Sequence, residues 1–174
     1  MKLISIIYSF RNEAKSIPEL IKRSVKVLEK IPFNYEIIFV NDYSNDNSLE
    51  ILKSYHKKNS KVKIINMSRN FGVTPSTLAG FKYAKGDALI YLDSDLQDPP
   101  ELFPKLIKKW ESGFDVVHTV REKREGENPF KILITKFAYK IIGLMSKIKI
   151  RQDSGDFKLL SRKAINNILN LNEY

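Results

Sequence analysis

The densest cluster of chemically capable side chains in this sequence is Asp93-Ser94-Asp95-Leu96-Gln97-Asp98. Two carboxylates two positions apart, just after an apolar run, repel each other unless a counter-charge lies between them. Oxygen ligands in that spacing suit Mg2+ or Mn2+. A solvated acidic loop is the plain alternative, with Asp98, directly ahead of Pro99, serving as a helix N-cap. A second polar cluster, Asn41-Asp42-Tyr43-Ser44-Asn45-Asp46, follows another apolar run. A carboxylate there can accept hydrogen bonds from a base N–H or a ribose hydroxyl, but an Asx-turn leading into the next helix explains the same residues more simply. Arg121, Lys123 and Arg124 offer guanidinium forks and an ammonium of the kind that grips phosphate. Glu122, Glu125 and Glu127 alternate with them, as they would in a solvated loop. Asp156 reads as a general base or orienting group, or as an ion-pair partner of Lys158 or Arg162.

What is missing narrows the chemistry. Cys is absent and His occurs only at His56 and His118, so disulfides and thiolate metal sites are excluded and a histidine-built site has little to work with. Any metal is therefore a hard cation held by oxygen. Neither GxGxxG nor GxxxxGK occurs, so no Rossmann dinucleotide site or P-loop is written here. A bound nucleotide would have its phosphates neutralised by a metal rather than cradled by glycine amides. His56, His118 and Trp110 read as structural side chains.

The elements that must position these residues follow from apolar patterning. Residues 3–8, 35–40, 62–66, 88–92 and 115–120 read as strands, several of them continuous apolar runs of the kind buried on both faces. Helical spacing predicts helices over residues 16–30, 49–55, 74–84, from Pro99 and Pro100 through Trp110, and 162–171. Strand and helix alternate, which predicts an α/β fold: a mostly parallel central sheet with helices on both faces. Ligands in such sheets bind beyond the carboxyl ends of the strands, where the polar clusters fall. With 174 residues and no internal repeat, residues 1–174 read as a single domain.

Charge points to partners. The chain carries 30 Lys and Arg against 20 Asp and Glu, net +10, which calls for an anionic partner: nucleic acid, a phosphorylated ligand or an acidic membrane surface. The N-terminus lacks an export-signal pattern, and no stretch reaches the ~18 uncharged apolar residues of a membrane span. Between Arg121 and Lys163 there are 12 Lys and Arg and 5 Asp and Glu, so most of the positive charge lies there. Within it, residues 130–150 combine many apolar positions with charges that are all Lys. Such a segment suits a membrane-interface helix, with Phe130, Ile134, Phe137 and Ile141 entering the acyl boundary. Packing on a further segment or a homo-oligomer contact is the other use of that surface.

Ser5–Glu13, Val40–Ser48, Ser68–Gly72, Asp93–Glu101, Arg121–Glu127 and Asp153–Leu160 resemble, in order, the motifs of family 2 glycosyltransferases. SRNFG, DSDLQDPPEL and DSGDFKLLSR together resemble the polyprenyl-phosphate branch, of the bactoprenol glucosyltransferase and dolichyl-phosphate mannose synthase kind. The resemblance covers essentially the whole chain and implies the GT-A nucleotide-sugar-binding fold. By position it implies a donor site of Ser9, Arg11, Glu13, Asp42, Arg69, Asp93 and Ser94, with Asp42 on the base or ribose. It places Mg2+ or Mn2+ on Asp93, Asp95 and Gln97, the acceptor phosphate on Arg121 and Arg124, and Asp156 beside the reacting sugar carbon. The sequence departs from the family at three positions lining the base pocket: Ser9 stands where Pro is usual, Arg11 where Tyr is usual, and Tyr43 where Gly is usual.

The activity implied is an inverting, metal-dependent transfer of a sugar from a nucleotide-sugar, with UDP-glucose the first candidate, to a polyprenyl phosphate. It would take place on the cytoplasmic face of the cell membrane. Relatives of this branch continue well past the equivalent of residue 174, commonly into membrane helices, so this chain is expected to be the N-terminal part of a longer protein that binds donor without reliable transfer. Two other readings stand beside it. One keeps the donor site but uses a saccharide hydroxyl as acceptor, with Asp156 as obligatory base. The other is a basic nucleic-acid-binding domain, against which the sequence shows no aromatic–basic interleaving or reader motif.

Overall fold

A computed structural model describes residues 1–120 and 154–171. Arg121, Arg124 and the 130–150 segment lie outside the described residues. By their contacts the residues divide into Met1–Val117 with Asp156–Tyr174, and His118–Gly155; the described residues belong almost entirely to the first unit.

Six strands form one sheet in the order β3-β2-β1-β4-β6-β5. They are β1 (Leu3–Phe10), β2 (Asn34–Asn41), β3 (Val62–Asn66), β4 (Ala88–Asp93), β5 (Val116–Val120) and β6 (Ser154–Ser161). The pairs β1–β2, β1–β4 and β2–β3 are parallel, and β4–β6 is antiparallel. The helices among the described residues are α1 (Ile17–Leu28), α2 (Ser48–Lys58), α3 (Val73–Tyr83), α4 (Phe103–Glu111) and α5 (Arg162–Leu169). The expected mostly parallel sheet with helices on both faces is present.

Strand alternation divides the core. Ile4, Ile6, Tyr8 and Phe10 of β1 pack with Ile37 and Phe39 of β2 against α1, α2 and α4. Ile7, Ile38, Val40, Leu89 and Tyr91 face the other way, against Phe81 of α3 and Ile165 of α5. Each fully buried side chain of this size contributes ~1.5–3 kcal/mol, and the two central strands are buried almost throughout. Tyr8 also stacks on Phe39 with ring centroids 5.0 Å apart. Helix α3 lies close to the sheet because Gly80 has no side chain: a Cβ there would fall 2.6 Å from Ile7 Cγ2.

At the amino ends of the strands, Glu36 is buried in a closed polar network. Its carboxylate accepts from Ser5 Oγ at 2.6 Å, the Lys85 amide at 2.7 Å and Lys63 Nζ at 2.5 Å. Arg162 locks the neighbouring turn by donating to the carbonyls of Ala84 and Gly86.

Two expectations are corrected. The helix expected from Pro99 begins later: Pro100–Leu102 is a short 3-10 turn, α4 starts at Phe103, and the residues at the N-cap positions are Pro99 and Leu102. Asp98 is therefore not an N-cap but a buried residue of the loop. Strand β6 has no counterpart among the expected strands; it lies between β4 and β5 in the sheet, antiparallel to β4, and brings Asp156 into the sheet.

Candidate functional site

The carboxyl ends of β1, β2 and β4 meet at one edge of the sheet. Ser9 is in register with Val40 on one side and with Asp93 on the other. By the two-residue alternation of the strands, Ser9 and Asp93 face the same side as Ile7, Leu89 and Tyr91, the side that carries α3. In the β4–β6 ladder Tyr91 pairs with Lys158. Carried two residues further, that register sets Asp156 opposite Asp93.

Electrostatics agree with this placement. Burial pushes the Asp93 carboxyl above the usual aspartate range, and the negative charges of Asp156, Asp95 and Asp98 push it further. Tyr91, whose phenol burial pushes up to about 12, stays protonated and donates to Asp93 Oδ1 at 3.3 Å. Asp156 is exposed, with Lys158 Nζ 3.7 Å away, so the Lys158 pairing foreseen in the sequence is formed; Arg162 is engaged with carbonyls instead. Asp95 Oδ1 accepts from the Gln97 amide at 3.0 Å, a tight Asx-turn in which Leu96 is left-handed at φ +66°. Ser94 is buried, its hydroxyl donating to the Ser9 carbonyl at 3.2 Å, so it ties β4 to β1.

The two loops beside this edge are sewn together. The Asn12 amide donates to Ser44 Oγ and the Asn45 amide to Asn12 Oδ1, both at 2.9 Å. The Glu13 amide donates to Ser48 Oγ at 2.9 Å, while the Glu13 carboxylate accepts from Ser16 Oγ. Asp42 is buried and spans to the third loop: Oδ1 accepts from the Phe71 amide at 2.8 Å and Oδ2 from the Gly72 amide at 2.9 Å. The Asx-turn expected in this stretch is made by Asp46, whose Oδ1 accepts from the Ser48 amide, and not by Asp42; Asn41 Oδ1 accepts from the Ser44 amide three residues on. Arg11 and Arg69 are exposed, and the Arg69 guanidinium lies over the Phe71 ring, 4.6 Å from its centroid.

Among the described residues three with a Cβ adopt left-handed backbone, Asn12, Tyr43 and Leu96, and they fall one in each loop after β1, β2 and β4. Such conformations cost of order 1–3 kcal/mol each and persist where surrounding structure imposes them, commonly at binding sites. Tyr43, at φ +60°, stands where the resemblance expects Gly.

Of the foreseen residues, Ser9, Asp93, Ser94, Asp95, Gln97 and Asp156 gather at the β1–β4–β6 end, while Arg11, Glu13, Asp42 and Arg69 lie in the joined loops. Sequence reasoning missed Tyr91, although it shares strand parity with Asp93, and the exposed ring of Phe71; Tyr43 entered only as a departure from the family's usual Gly. Among the described residues no group of three or more His, Cys, Asp and Glu is placed to hold a metal ion by itself. The oxygen donors present fit a smaller role. Mg2+-type sites use one or two carboxylates and take their other ligands from substrate phosphates and water, and the mutual repulsion at Asp93 is what a cation there would relieve.

The sequence model of glycosyl transferase family 2 matches residues 5–169. The chain belongs to that family. An uncharacterized glycosyltransferase of Synechocystis is 44% identical over 170 residues, which are 98% of this chain and 54% of that protein. A bactoprenol glucosyl transferase of Shigella phage SfV is 37% identical over 165 residues, 95% of this chain and 54% of its own. The chain thus spans about half the length of the curated relatives it matches. Among solved structures, mannosyl-3-phosphoglycerate synthase from Rubrobacter xylanophilus superposes with a TM-score of 0.71 at 15% identity, over 93% of this chain and 54% of that one. Glucosyl-3-phosphoglycerate synthase from Mycobacterium tuberculosis, in complex with Mn2+, UDP-glucose and phosphoglyceric acid, gives 0.68 at 17% identity, over 93% and 57%. These are GT-A glycosyltransferases, and the family 2 chain described here has their fold. No helix among the described residues is long and apolar enough to cross a membrane.

Proposed function

We propose that this family 2 chain carries the donor half of an inverting, divalent-metal-dependent glycosyltransferase that moves a sugar from a UDP-sugar to a polyprenyl phosphate at a membrane surface. The observation that carries the reading is the opposition of Asp93 and Asp156 across β4 and β6, with Asp95 two residues on. A divalent cation held there with the donor diphosphate would relieve that excess of negative charge. The similarity to bactoprenol glucosyl transferases supports the lipid acceptor, and Mn2+ with UDP-glucose in a structural neighbour supports the donor class.

Asp93 and Asp95 would hold the cation, with Gln97 at the loop's far end. A cation held there acts as a Lewis acid on the leaving diphosphate. Tyr91 fixes the rotation of the Asp93 carboxylate through its hydrogen bond. Asp42 holds the Phe71–Gly72 loop, and the Asn12–Ser44–Asn45 bonds hold the other two loops in one surface, so the donor meets a formed pocket. A polyprenyl phosphate is already anionic at neutral pH, so no strong base is required. Asp156, paired with Lys158, orients the acceptor side, and Arg121 and Arg124 neutralise the acceptor phosphate. One-step displacement from the opposite face gives inversion.

Thermal stability with UDP, GDP or a random oligonucleotide, each with and without Mn2+, tests the donor. UDP at 100 times its Kd should add about 2.7 kcal/mol, and only with Mn2+. Stabilisation by the oligonucleotide alone would overturn the reading. Flotation with anionic against neutral vesicles, and transfer to vesicle-borne polyprenyl phosphate against a soluble saccharide, test the acceptor. Transfer to the saccharide alone would make Asp156 an obligatory base instead.

A further inference from the structure

A groove of about 470 Å3 runs between α1 and α2, and none of its lining residues belongs to the loops of the candidate site. Its floor is apolar: Ile21 is buried, and Val25 and Tyr55 are half-buried against the core beneath the two helices. Its other border carries Lys22, Lys26 and Lys30, all exposed, on α1 and the turn that closes it. Side chains four residues apart share one helix face, so these ammonium groups form a row spanning ~12 Å and repel one another. Elsewhere on the same two helices such charges are neutralised. Arg23 is held by Glu101 at 3.0 and 2.6 Å, and Lys53 by Glu50 at 2.8 Å. Lys22 comes only within 3.8 Å of Glu19, and among the described residues no carboxylate lies at ion-pair distance from Lys26 or Lys30. Glu29 also lines the groove but pairs with neither. Lys57 and Lys58, exposed in the last turn of α2, add to the positive charge near its end.

We propose that this groove docks an acidic amphipathic helix of a partner protein. The apolar stripe of that helix lies over Val25 and Tyr55, and its carboxylates, one turn apart, meet the row of Lys22, Lys26 and Lys30. Helix-in-groove recognition needs an apolar trough for the stripe, and a border of opposite charge fixes register and orientation. A membrane surface fits less well, because the apolar groups are recessed between two helices and do not reach an acyl layer. Lys30 lies shortly before β2 begins and Asn59, also on the groove, shortly before β3, so the groove opens toward the amino ends of the strands. A helix bound there leaves the carboxyl-end cluster of Asp93, Asp95 and Asp156 uncovered, and the proposal stands independently of the donor reading.

The test follows binding of a fluorescent helical peptide of ~14 residues, with Leu along one face and Glu on both borders of it, to the chain at about 0.1 M salt. Lys26→Glu combined with Lys30→Glu should weaken binding by about tenfold or more, because like charges then face each other. Lys26→Gln combined with Lys30→Gln should fall between that variant and wild type, and it decides the matter if the Glu pair melts early. Lys105→Glu with Lys108→Glu changes net charge equally at exposed positions of α4 outside the groove, and should stay within about twofold of wild type. Equal weakening by the α4 variant overturns the proposal, since the peptide would then be sensing the charge of the whole chain. Equal binding of a peptide with Ser in place of every Leu overturns it as well, because the apolar floor would contribute nothing. Absence of peptide binding by the wild type also overturns it, and flotation with anionic vesicles that is lost in the Lys26→Glu, Lys30→Glu variant would then assign the lysines to a lipid surface.

Discussion

Replacing Asp42 by Asn exchanges one carboxylate oxygen for an NH2 group and separates two roles for this residue. The buried carboxylate accepts from two backbone amides, those of Phe71 and Gly72, at 2.8 and 2.9 Å. Hydrogen bonds to a charged acceptor are worth about 1.5–3 kcal/mol each, neutral ones about 1 kcal/mol. In the Asp42→Asn variant the remaining oxygen keeps one neutral bond, while the NH2 group faces a second N–H that has lost its acceptor. The loss is then about 2–5 kcal/mol, and at ~2–4 °C per kcal/mol for a chain of this size the melting temperature falls by ~4–20 °C. The measurement is thermal or urea unfolding of both proteins without nucleotide, followed by UDP binding with Mn2+. The loop-holding role requires the stability loss before any ligand is added. If the variant unfolds at the wild-type temperature yet binds UDP about tenfold more weakly, the carboxylate reads the nucleotide directly, as the family resemblance alone implies, and the loop-holding account is refuted.

Asp93→Asn should raise the stability of the ligand-free chain and abolish its stabilisation by UDP with Mn2+. The Asp93 carboxyl titrates above its ordinary range, so ionisation costs the folded state; wild type should lose stability relative to the variant as pH rises from the ordinary aspartate range upward, and parallel pH profiles would contradict this. Glu36 behaves oppositely: burial alone would raise its pKa, but Lys63, Ser5 and the Lys85 amide bring it below the usual glutamate range. Its contribution is complete above that range and disappears as pH falls through the lowered value, so Glu36→Gln should flatten the acid limb of the Tm–pH curve and cost about 2–4 kcal/mol at neutral pH. Gly80→Ala should cost about 1–3 kcal/mol by urea unfolding, because the new methyl meets the buried Ile7 side chain 2.6 Å away; an unchanged midpoint would mean that α3 can shift off the sheet freely.

The sheet is legible in the sequence because its central strands are written without ambiguity. LISIIY and EIIFV are apolar on both faces, and only a strand covered by helices on each side satisfies that pattern. β6 is not legible, because Ser154–Ser161 carries Asp156 and Lys158 on one parity and Phe157 and Leu159 on the other. That alternation is short and looks like a loop until β4 supplies its partner. Two consecutive prolines signal a helix start at Pro99, yet the chain first makes a 3-10 turn there. The DxD pair is legible as chemistry from type and spacing, whereas its third carboxylate comes from resemblance alone. Asp156 lies 63 residues beyond Asp93 in sequence (156 − 93 = 63), and only the antiparallel register brings the two together. Asp42 is visible as a site residue, but a side chain bonding to amides 29 and 30 residues on leaves no local pattern.

The two ends of the sheet are built on opposite principles, and the contrast bears on function. At the amino ends, Glu36 satisfies Ser5, Lys63 and the Lys85 amide, and Arg162 fills the neighbouring carbonyls, so charge there is neutralised within the chain. At the carboxyl ends, Asp93, Asp95 and Asp156 crowd together with Lys158 paired to the outermost of them, and three side-chain-bearing residues hold left-handed backbone. A chain with a surplus of ten positive charges could have placed a Lys or Arg between these carboxylates. A resident cation of that kind would neutralise the site permanently and compete with a metal–diphosphate. On the proposed donor reading, the repulsion that the described Lys and Arg residues leave around Asp93 would be relieved on binding and would supply part of the donor's binding free energy. By the same reasoning, Asp93→Lys should stabilise the free chain while eliminating metal-dependent nucleotide binding. Unfolding curves with and without Mn2+ and UDP would measure both halves, and a variant still stabilised by the pair would show that the metal is held elsewhere.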